Sequence, residues 1–370
     1  MAPLATLQLE SLDALLANAA AWDDLWQRSA ATLPSLRAKQ LALWFEHFAE
    51  PEQFTAMVVR RDDRWLAALP LANTRIAHVI SAASMPCNDW ATCGDLLLDE
   101  TIDPQATLAA LIAALRKTSS PLLWLQEASL DAQRWQLLQQ VCAVSRATLA
   151  THPCYQVGRV VIDHDWDAYR ARWSRKHRQA MAHSLRTLSQ RGDVRMMLQS
   201  QFAPGEVTAV LQECFELEDR GWKGQSGSSV LRQPGLLDFY KRQAELTAEH
   251  QELEVARLYC GEQLIAFSYG LSAKGVFHST KIGYDPDFAC EHPGQLLRHL
   301  MLERFFSEPA RKALDFQGPT TEAHAAWLPE RFSVGRFVLA TDSLPAQLAV
   351  AAYRRVWPAL RSIKHAAAGV

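Results

Sequence analysis

The sequence has no excess of positive charge, no paired cysteine motif and no apolar run long enough to span a bilayer. Lys and Arg number 38 against 40 Asp and Glu, so the net charge is −2 at pH 7 and a globally basic, DNA-binding protein is excluded. The seven cysteines are scattered singly, which predicts free thiols in a reducing compartment. The first ten residues lack the basic start of a secretory signal. We therefore expect a cytoplasmic protein without a transmembrane segment.

Several common catalytic motifs are also missing. The chain contains no G-x-S-x-G, no Walker loop and no H-E-x-x-H, and its 12 histidines are dispersed without the spacing of metal ligands. These absences argue against a hydrolase or a metalloenzyme. We expect no metal at the functional site.

What the sequence does have is apolar residues, 49% of a chain of 370, which is enough for two domains. Each half shows three strand-like segments, then a helix, a strand, a helix and a strand. Arg64–Leu71 aligns with Gln263–Gly270, and the helix after Asp103 aligns with the helix that begins near Gly294. This order predicts an α+β fold with mixed, mostly antiparallel sheets flanked by helices. We interpret the halves as a degenerate tandem repeat, with lobes at 1–162 and 163–370.

The junction between a strand and a helix in the second half predicts an anion site. A strand ends near Tyr284, a loop follows, and Gly294 stands where a long helix begins. We expect the amides of Gly294, Gln295 and Leu296 to be unpaired there, where the helix dipole favours an anion and glycine leaves room for a diphosphate. A simple turn at the start of the helix is the alternative. The matching helix of the first half begins Asp103–Pro104, without a glycine.

Three segments of the second half carry a family resemblance. Glu218–Gly227 resembles a "GWKG…G" segment, Tyr284–Leu297 resembles "YDPEYA…SPG-LL", and Leu314–Gly318 with Trp327 downstream resembles "LDFGRG…W". These are segments of an acetyltransferase-like family of cellulose and exopolysaccharide biosynthesis, which belongs to the GNAT superfamily and is related to the Fem peptidyltransferases. The chain departs from the donor-loop pattern Q/R-x-x-G-x-G/A, because no second glycine follows Gln295.

The resemblance implies a tandem GNAT fold whose first lobe is a degenerate scaffold or acceptor wall and whose second lobe is the acyltransferase. It implies acyl-CoA, acetyl-CoA in particular, as co-substrate, and an amine of a small molecule or saccharide as acceptor. The pyrophosphate of coenzyme A would then be bound by the loop and first helical turn formed by Pro293, Gly294, Gln295, Leu296 and Leu297.

Acyl transfer to an amine needs a base, donors for the thioester oxyanion and an acid for the leaving thiolate. Glu218 lies at a helix end beside a glycine-rich loop, where it is either catalytic or a solvated charge. Asp315 lies in an apolar strand, so it either pairs with an Arg or Lys or binds the acceptor. His278 is a third candidate base, and a hydrogen-bonded core histidine is its alternative.

Four further residues are predicted to contact substrate. Trp222 and Lys223 lie in the glycine-rich loop, which predicts a lid over substrate or a packing anchor. Lys281 is predicted to meet a phosphate or an acceptor carboxylate, or else to lie on a solvated strand face, and it should face away from His278, three residues earlier. Tyr284 completes this set.

A basic helix keeps two other functions open. Residues 169–192 carry seven Arg and Lys and no acidic residue, which predicts a surface for the donor phosphates or a polyanion, or simply a solvated face. A Fem-like aminoacyl-tRNA-dependent transferase would contact tRNA through Arg175–Arg178. The other alternative is a non-catalytic module that binds an envelope polysaccharide.

Overall fold

The computed structural model describes residues 2–76, 80–203 and 205–367. The chain forms two compact units, the first from residues 1–31, 35–155 and 332–370 and the second from residues 32–34 and 156–331. Neither unit is contiguous in sequence, so the units do not coincide with the lobes 1–162 and 163–370. The division into two contiguous lobes stays a prediction.

The first unit is a mixed sheet with helices packed on it. Its strands lie in the order β1-β2-β3-β4-β6-β13-β7, with β5 paired to β3. The strands are β1 (Ala5–Leu9), β2 (Phe54–Arg61), β3 (Arg64–Ile76), β4 (Ile80–Ser84), β5 (Leu97–Leu98), β6 (Leu122–Ser129), the first part of β7 (Leu149–Val161) and most of β13 (Glu330–Ala340). The helices are α1 (Leu12–Ala17), α2 (Ala19–Arg28), α3 (Ala38–Phe48), α4 (Pro104–Leu115), α5 (Gln133–Val144) and α13 (Leu344–Ala367), with a 3₁₀ turn at Pro51–Gln53.

The second unit repeats this arrangement. Its strands lie in the order β7-β12-β11-β10-β9-β8. Besides the end of β7 they are β8 (Val194–Gln199), β9 (Leu253–Cys260), β10 (Gln263–Ala273), β11 (Val276–Tyr284) and β12 (Ala313–Asp315). The helices are α6 (Trp166–Ala171), α7 (Arg175–Arg191), α8 (Glu206–Arg220), α9 (Trp222–Gln225), α10 (Leu236–Ala248), α11 (Pro293–Phe306) and α12 (Glu322–Ala325), with 3₁₀ turns at Val230–Arg232 and Pro286–Glu291.

The two units share a topology that accounts for the aligned segments. In each, three antiparallel strands are followed by a helix and a strand that runs parallel to the third, as β2-β3-β4-α4-β6 and as β9-β10-β11-α11-β12. Both helices place proline at their first position after a residue in the left-handed conformation, Asp103 (φ 44°) before α4 and His292 (φ 50°) before α11. The predicted α+β class with mostly antiparallel sheets is confirmed.

The core of the second unit fixes the position of α11. Leu296, Met301 and Phe305 are buried against the sheet, and α7 packs on the same helix through residues such as Leu188. The predicted basic helix from 169 to 191 is in fact two helices, because α6 ends at Ala171 and Ser174 caps α7, its hydroxyl accepting from the His177 amide at 3.1 Å.

The structure also shows the state of the cysteines and whether any described helix could span a bilayer. All seven cysteines are free thiols, five buried and two, Cys154 and Cys290, exposed. Within residues 2–76, 80–203 and 205–367, no helix combines the length and the apolar character that a bilayer span requires.

Candidate active site

A cleft of about 500 Å³ lies within the second unit, beside the edge of β11. Strand β12 pairs with β11 only over Val276–His278, and β11 continues to Tyr284. Past His278 this edge of β11 therefore has no strand partner in the described part of the chain. Ser279 and Ile282–Tyr284 line the cleft from this edge, and Pro293–Gln295 line it from the start of α11.

The start of α11 leaves one amide free. A Cβ placed on Gly294 would meet nothing within 4 Å, and its amide has no partner among the described residues. The expectation of three unpaired amides is wrong for the other two, because Gln295 and Leu296 both donate to the carbonyl of His292, at 3.0 and 3.1 Å. The helix begins at Pro293, so Leu296 is its fourth residue and makes the first regular helical bond. Leu296 is fully buried and does not line the cleft.

A cation that the sequence interpretation missed lies one turn along the same helix. Arg298 lines the cleft, and its guanidinium stands 4.7 Å over the ring of Phe316. It forms no ion pair in the described ranges. Burial lowers the pKa of Arg298 to about 10, so the side chain is still charged at neutral pH. Its spacing of four residues from Gly294 is the signal that would have found it.

Electrostatics distinguish this helix start from its counterpart in the first unit. The first turn of α11 contains no acidic residue and no side chain caps it. At α4 the carboxylate of Asp103 accepts from the amide of Ala106 at 3.4 Å. An anion would therefore meet a carboxylate at α4, and at α11 a free amide and a cation.

Glu218 is a buried carboxylate and not a solvated helix-end charge. It is 3% exposed, and its two oxygens accept from Lys223 Nζ at 2.6 Å and from the Val230 amide at 2.9 Å. It lies four residues after buried Cys214 on the apolar face of α8, and that spacing could have predicted its burial. The neighbouring Asp219 instead pairs with Arg232 and lies outside the cleft.

The predicted loop residues form one wall of the same cleft. Trp222 and Lys223 belong to the short helix α9 and line the cleft together with Glu218. Lys223 Nζ also donates to the main-chain oxygen of Ile282 at 3.0 Å, on the open edge of β11. Two aromatic rings lie partly in solvent here, since Trp222 is 63% exposed and Tyr284 is 42% exposed.

Asp315 lies outside the cleft. It is 1% exposed and accepts two bonds from Arg159, at 2.8 and 3.1 Å. The amide and the side chain of Gln317 satisfy its other oxygen. Neighbouring Leu314 lines the cleft, so Asp315 lies on the opposite face of β12. Asp315 was expected either to pair with an Arg or Lys or to bind the acceptor, and the structure shows it paired with Arg159.

His278 and Lys281 are also absent from the cleft lining. His278 is 3% exposed, with Nδ1 3.0 Å from Gln317 Nε2 and Nε2 3.0 Å from Thr32 Oγ1. Burial lowers its pKa to about 4, so the imidazole is neutral at pH 7. Lys281 Nζ lies 5.2 Å from the ring of Tyr240 on α10. Of the two interpretations of His278, the structure therefore gives the hydrogen-bonded core histidine.

Two hydroxyl groups in the cleft were not predicted. Ser268 on β10 and Ser279 on β11 both line it, with their oxygens 3.3 Å apart. Ser268 is a polar residue within an otherwise largely apolar strand segment, which was the available signal for it, whereas Ser279 stands among other polar residues of β11. Gly270 is the direct partner of Ser279, and Ser268, two residues before Gly270, pairs with Ile282 beyond a shift of register between Tyr269 and Gly270.

A comparison with known protein families matches the part of the chain that contains this cleft. A family model of the acetyltransferase (GNAT) domain matches residues 175–326, which include all the cleft residues named above. No curated protein matches the chain. The residues of the first unit lie outside the range 175–326 that the family model matches.

Solved structures of similar fold span nearly the whole chain. The structure of FemX has a TM-score of 0.62 at 10% identity and covers 89% of this chain and 97% of its own. A conserved protein of unknown function from Bacteroides thetaiotaomicron (TM-score 0.53, 14% identity) covers 92% and 100%. L-PGS from Bacillus licheniformis (TM-score 0.52, 12% identity) covers 90% and 95%.

The matched domain and the repeated topology agree with the family resemblance found in the sequence and with the predicted class of enzyme, an N-acyltransferase. At these identities the structural neighbours establish the fold alone. The second half of the chain contains an acetyltransferase (GNAT) domain at residues 175–326, and the chain as a whole has a fold similar to that of FemX.

Proposed function

We propose that this protein transfers an acyl group from acyl-CoA to an amine of a small-molecule or saccharide acceptor. One observation carries the proposal: the open start of α11, the carboxylate of Glu218 and an unpaired strand edge of β11 all line the same cleft. A donor thioester bound along that edge would lie between an anion site and a candidate base.

The donor side fits an extended ligand with a diphosphate. Past His278 this edge of β11 has no strand partner among the described residues, so it can take up the amides of a pantetheine arm as an added strand pairs with a sheet edge, with Lys223 moving from the Ile282 carbonyl where the two compete. Gly294, whose amide is free in the described ranges, and Arg298 also line the cleft, so a diphosphate bound there could accept from the amide and the guanidinium. Pro293 and Leu297 supply apolar lining beside it.

The acceptor side needs a base at Glu218. Its carboxylate is now paired with Lys223, so an acceptor that arrives as an ammonium would replace Lys223 Nζ as the cation beside Glu218 Oε1. Lys223 sits on a flexible stem, which allows this exchange. Glu218 would then take the proton that the amine must lose before it attacks the thioester carbonyl.

The two serine hydroxyls are placed to assist at the reacting carbon. Ser268 and Ser279 line the same cleft as Glu218 and Gly294, and their hydroxyl oxygens lie 3.3 Å apart. We assign them to the thioester oxyanion, where preorganised donors lower the barrier to tetrahedral addition.

Two exposed aromatic rings at the cleft support the choice of acceptor, and the free cysteines support the choice of cellular compartment. The exposed rings of Trp222 and Tyr284 offer flat apolar faces with polar tips, which suit the ring of a saccharide or another small molecule. A role in polysaccharide biosynthesis follows from the motif resemblance. We place the protein in the cytoplasm because its seven thiols are free and acyl-CoA is made there.

Isothermal titration of the protein with coenzyme A, acetyl-CoA and longer acyl-CoAs tests the donor assignment. We expect saturable one-site binding that is weaker, though still measurable, when the diphosphate is removed, as in pantetheine. Absence of heat with every thioester and with coenzyme A would contradict the assignment. Turnover of the bound thioester with a panel of amino sugars, followed by thiol release, then tests the acceptor.

One observation keeps a tRNA-dependent transferase as the second candidate. Arg175, Lys176 and Arg186 are exposed on α7, and no acidic residue lies between Arg175 and Arg191. Binding of an aminoacyl-tRNA would fall steeply with salt, because phosphate contacts release counterions. A steep salt dependence with charged tRNA, together with no affinity for coenzyme A, would replace the first proposal with this one.

A further inference from the structure

A buried tryptophan behind α11 donates its hydrogen bond to a residue of the cleft. Trp327 is 0% exposed, and its indole Nε1 donates to Gln295 Oε1 at 2.8 Å. Buried tryptophans usually need a partner for this N–H group, and in the same chain Trp22 finds one in the main-chain oxygen of Leu36. Trp327 finds its partner in a flexible side chain that lines the cleft.

This bond fixes the orientation of the Gln295 carboxamide. An indole N–H is only a donor, so the oxygen of the amide must face Trp327. The amide nitrogen Nε2, with its two N–H groups, is therefore turned away from the indole. In the described part of the chain Nε2 has no partner, and Gln295 follows Gly294, whose main-chain amide is also free.

The indole is held on several sides. The hydroxyl of Tyr169 donates to the main-chain oxygen of Trp327 at 2.5 Å. The ring of His177 packs edge-on at 4.6 Å and 88°, and that of Trp173 does so at 5.3 Å and 87°. Burial lowers the pKa of His177, so its ring is neutral at pH 7 and adds no charge beside the indole. The donor to Gln295 therefore comes from a rigid support, which is what an oriented binding group requires.

We propose that Trp327 is a positioning residue for a diphosphate, acting through Gln295. It holds the carboxamide so that Nε2 donates to a diphosphate oxygen beside the Gly294 amide, with Arg298 one turn further along α11. This inference rests on the proposed function, since it assumes that the cleft takes a diphosphate-bearing thioester. It adds a side-chain donor, set from the core, to the backbone amide at this helix start.

The test is a double-mutant cycle read by titration calorimetry with coenzyme A and with pantetheine, which lacks the diphosphate. Trp327→Phe keeps the ring contacts and removes the indole N–H, and Gln295→Ala removes the carboxamide. We expect each to weaken coenzyme A binding about fivefold, the effect of one neutral hydrogen bond, and the double variant to be no weaker than Gln295→Ala. Pantetheine affinity should stay unchanged in all three.

A second variant keeps the test sharp if Trp327→Phe is unstable. Gln295→Glu retains an acceptor for the indole but replaces the N–H groups by a negative oxygen, so coenzyme A binding should fall by more than the alanine variant while pantetheine binds as before. Additive losses in the cycle, or equal losses for pantetheine, would overturn the positioning role. A wild-type protein that binds no coenzyme A would overturn the proposed function, and the positioning role with it, before any variant is compared.

Discussion

Lys223 and Glu218 form an ion pair inside the cleft, with Nζ 2.6 Å from Oε1. The same ammonium donates to the carbonyl of Ile282, so it joins the end of α8 to the open edge of β11. The Glu218 side chain is 2% exposed and that of Lys223 is 23% exposed, which makes Lys223 the partner that can leave. Before the acceptor binds, the proposed base Glu218 is therefore held in an ion pair with Lys223, until another cation takes the place of Lys223.

Glu218→Gln should lower the turnover of acyl-CoA with an amine by about 100-fold or more, because general-base catalysis contributes at least that much. The amide can still accept from Val230, so coenzyme A affinity should stay the same. The rate of thiol release measures the turnover, and titration calorimetry measures the affinity for coenzyme A. Asp219→Asn is the matched control, since this neighbouring carboxylate lies outside the cleft and pairs with Arg232. Equal losses in the two variants would remove Glu218 from the mechanism.

Gly294→Asp should abolish coenzyme A binding without unfolding the protein. The new side chain has open space, and an acidic residue in a first helical turn stabilises the helix by about 0.3–1 kcal/mol. Gly294→Asn has nearly the same shape without the charge and should bind more tightly than the aspartate variant. Thermal melting should show both variants as stable as the parent. Similar affinities for the two variants would mean that no anion lies at this helix start.

Asp315→Asn should reduce stability and leave catalysis alone. Removing the charge breaks the pair between the buried carboxylate and Arg159, whose side chain is 37% exposed, and this should cost about 1–3 kcal/mol in the free energy of unfolding. Urea denaturation measures this loss, and kcat/KM below the melting range should change less than about twofold. Asp342→Asn is the surface control, because its pair with Arg116 is half exposed and should matter by less than about 1 kcal/mol. A large fall in kcat for Asp315→Asn would restore a catalytic role.

Stability should fall as the pH drops from about 6.5 towards 4. Burial lowers the pKa of His278 to about 4, and Arg159 lowers it further while Asp315 opposes the shift. The unfolded chain then binds the proton first, so stability is present above pH 6.5 and decreases below it, by about 3 kcal/mol for this residue. Urea midpoints between pH 7 and pH 4 should fall less in His278→Asn than in the parent. His250→Gln, at an exposed position, should follow the parent.

The tandem repeat was accessible from sequence because it depends on local pattern. A short continuous apolar run marked Gln263–Gly270 as a strand, and the proline and glycine at 293 and 294 marked a helix start. The same reasoning placed the start of α11 one residue late, and that single residue decided which amides are free. Local pattern gives the existence of an element better than its first residue.

The candidate bases show where local pattern stops. Glu218, Asp315 and His278 were all candidate bases as sequence positions, and the tertiary structure separates them. Asp315 faces Arg159 across β12 and β7, and His278 is its register partner on β11, both on the side away from the cleft. Arg159 lies 156 residues from Asp315 along the chain, so no window of sequence contains the pair.

By itself the sequence determined the α+β class, the repeated order of strands and helices, and the residues beside the junction of β11 and α11, because propensity and spacing act over a few residues. The tertiary structure decided which polar groups share the cleft. It buried Glu218 beside Lys223, turned Asp315 to the other face and set Trp327 behind Gln295. Each depends on contacts between segments far apart in the chain, and burial and pairing at such contacts fix the chemistry of a side chain.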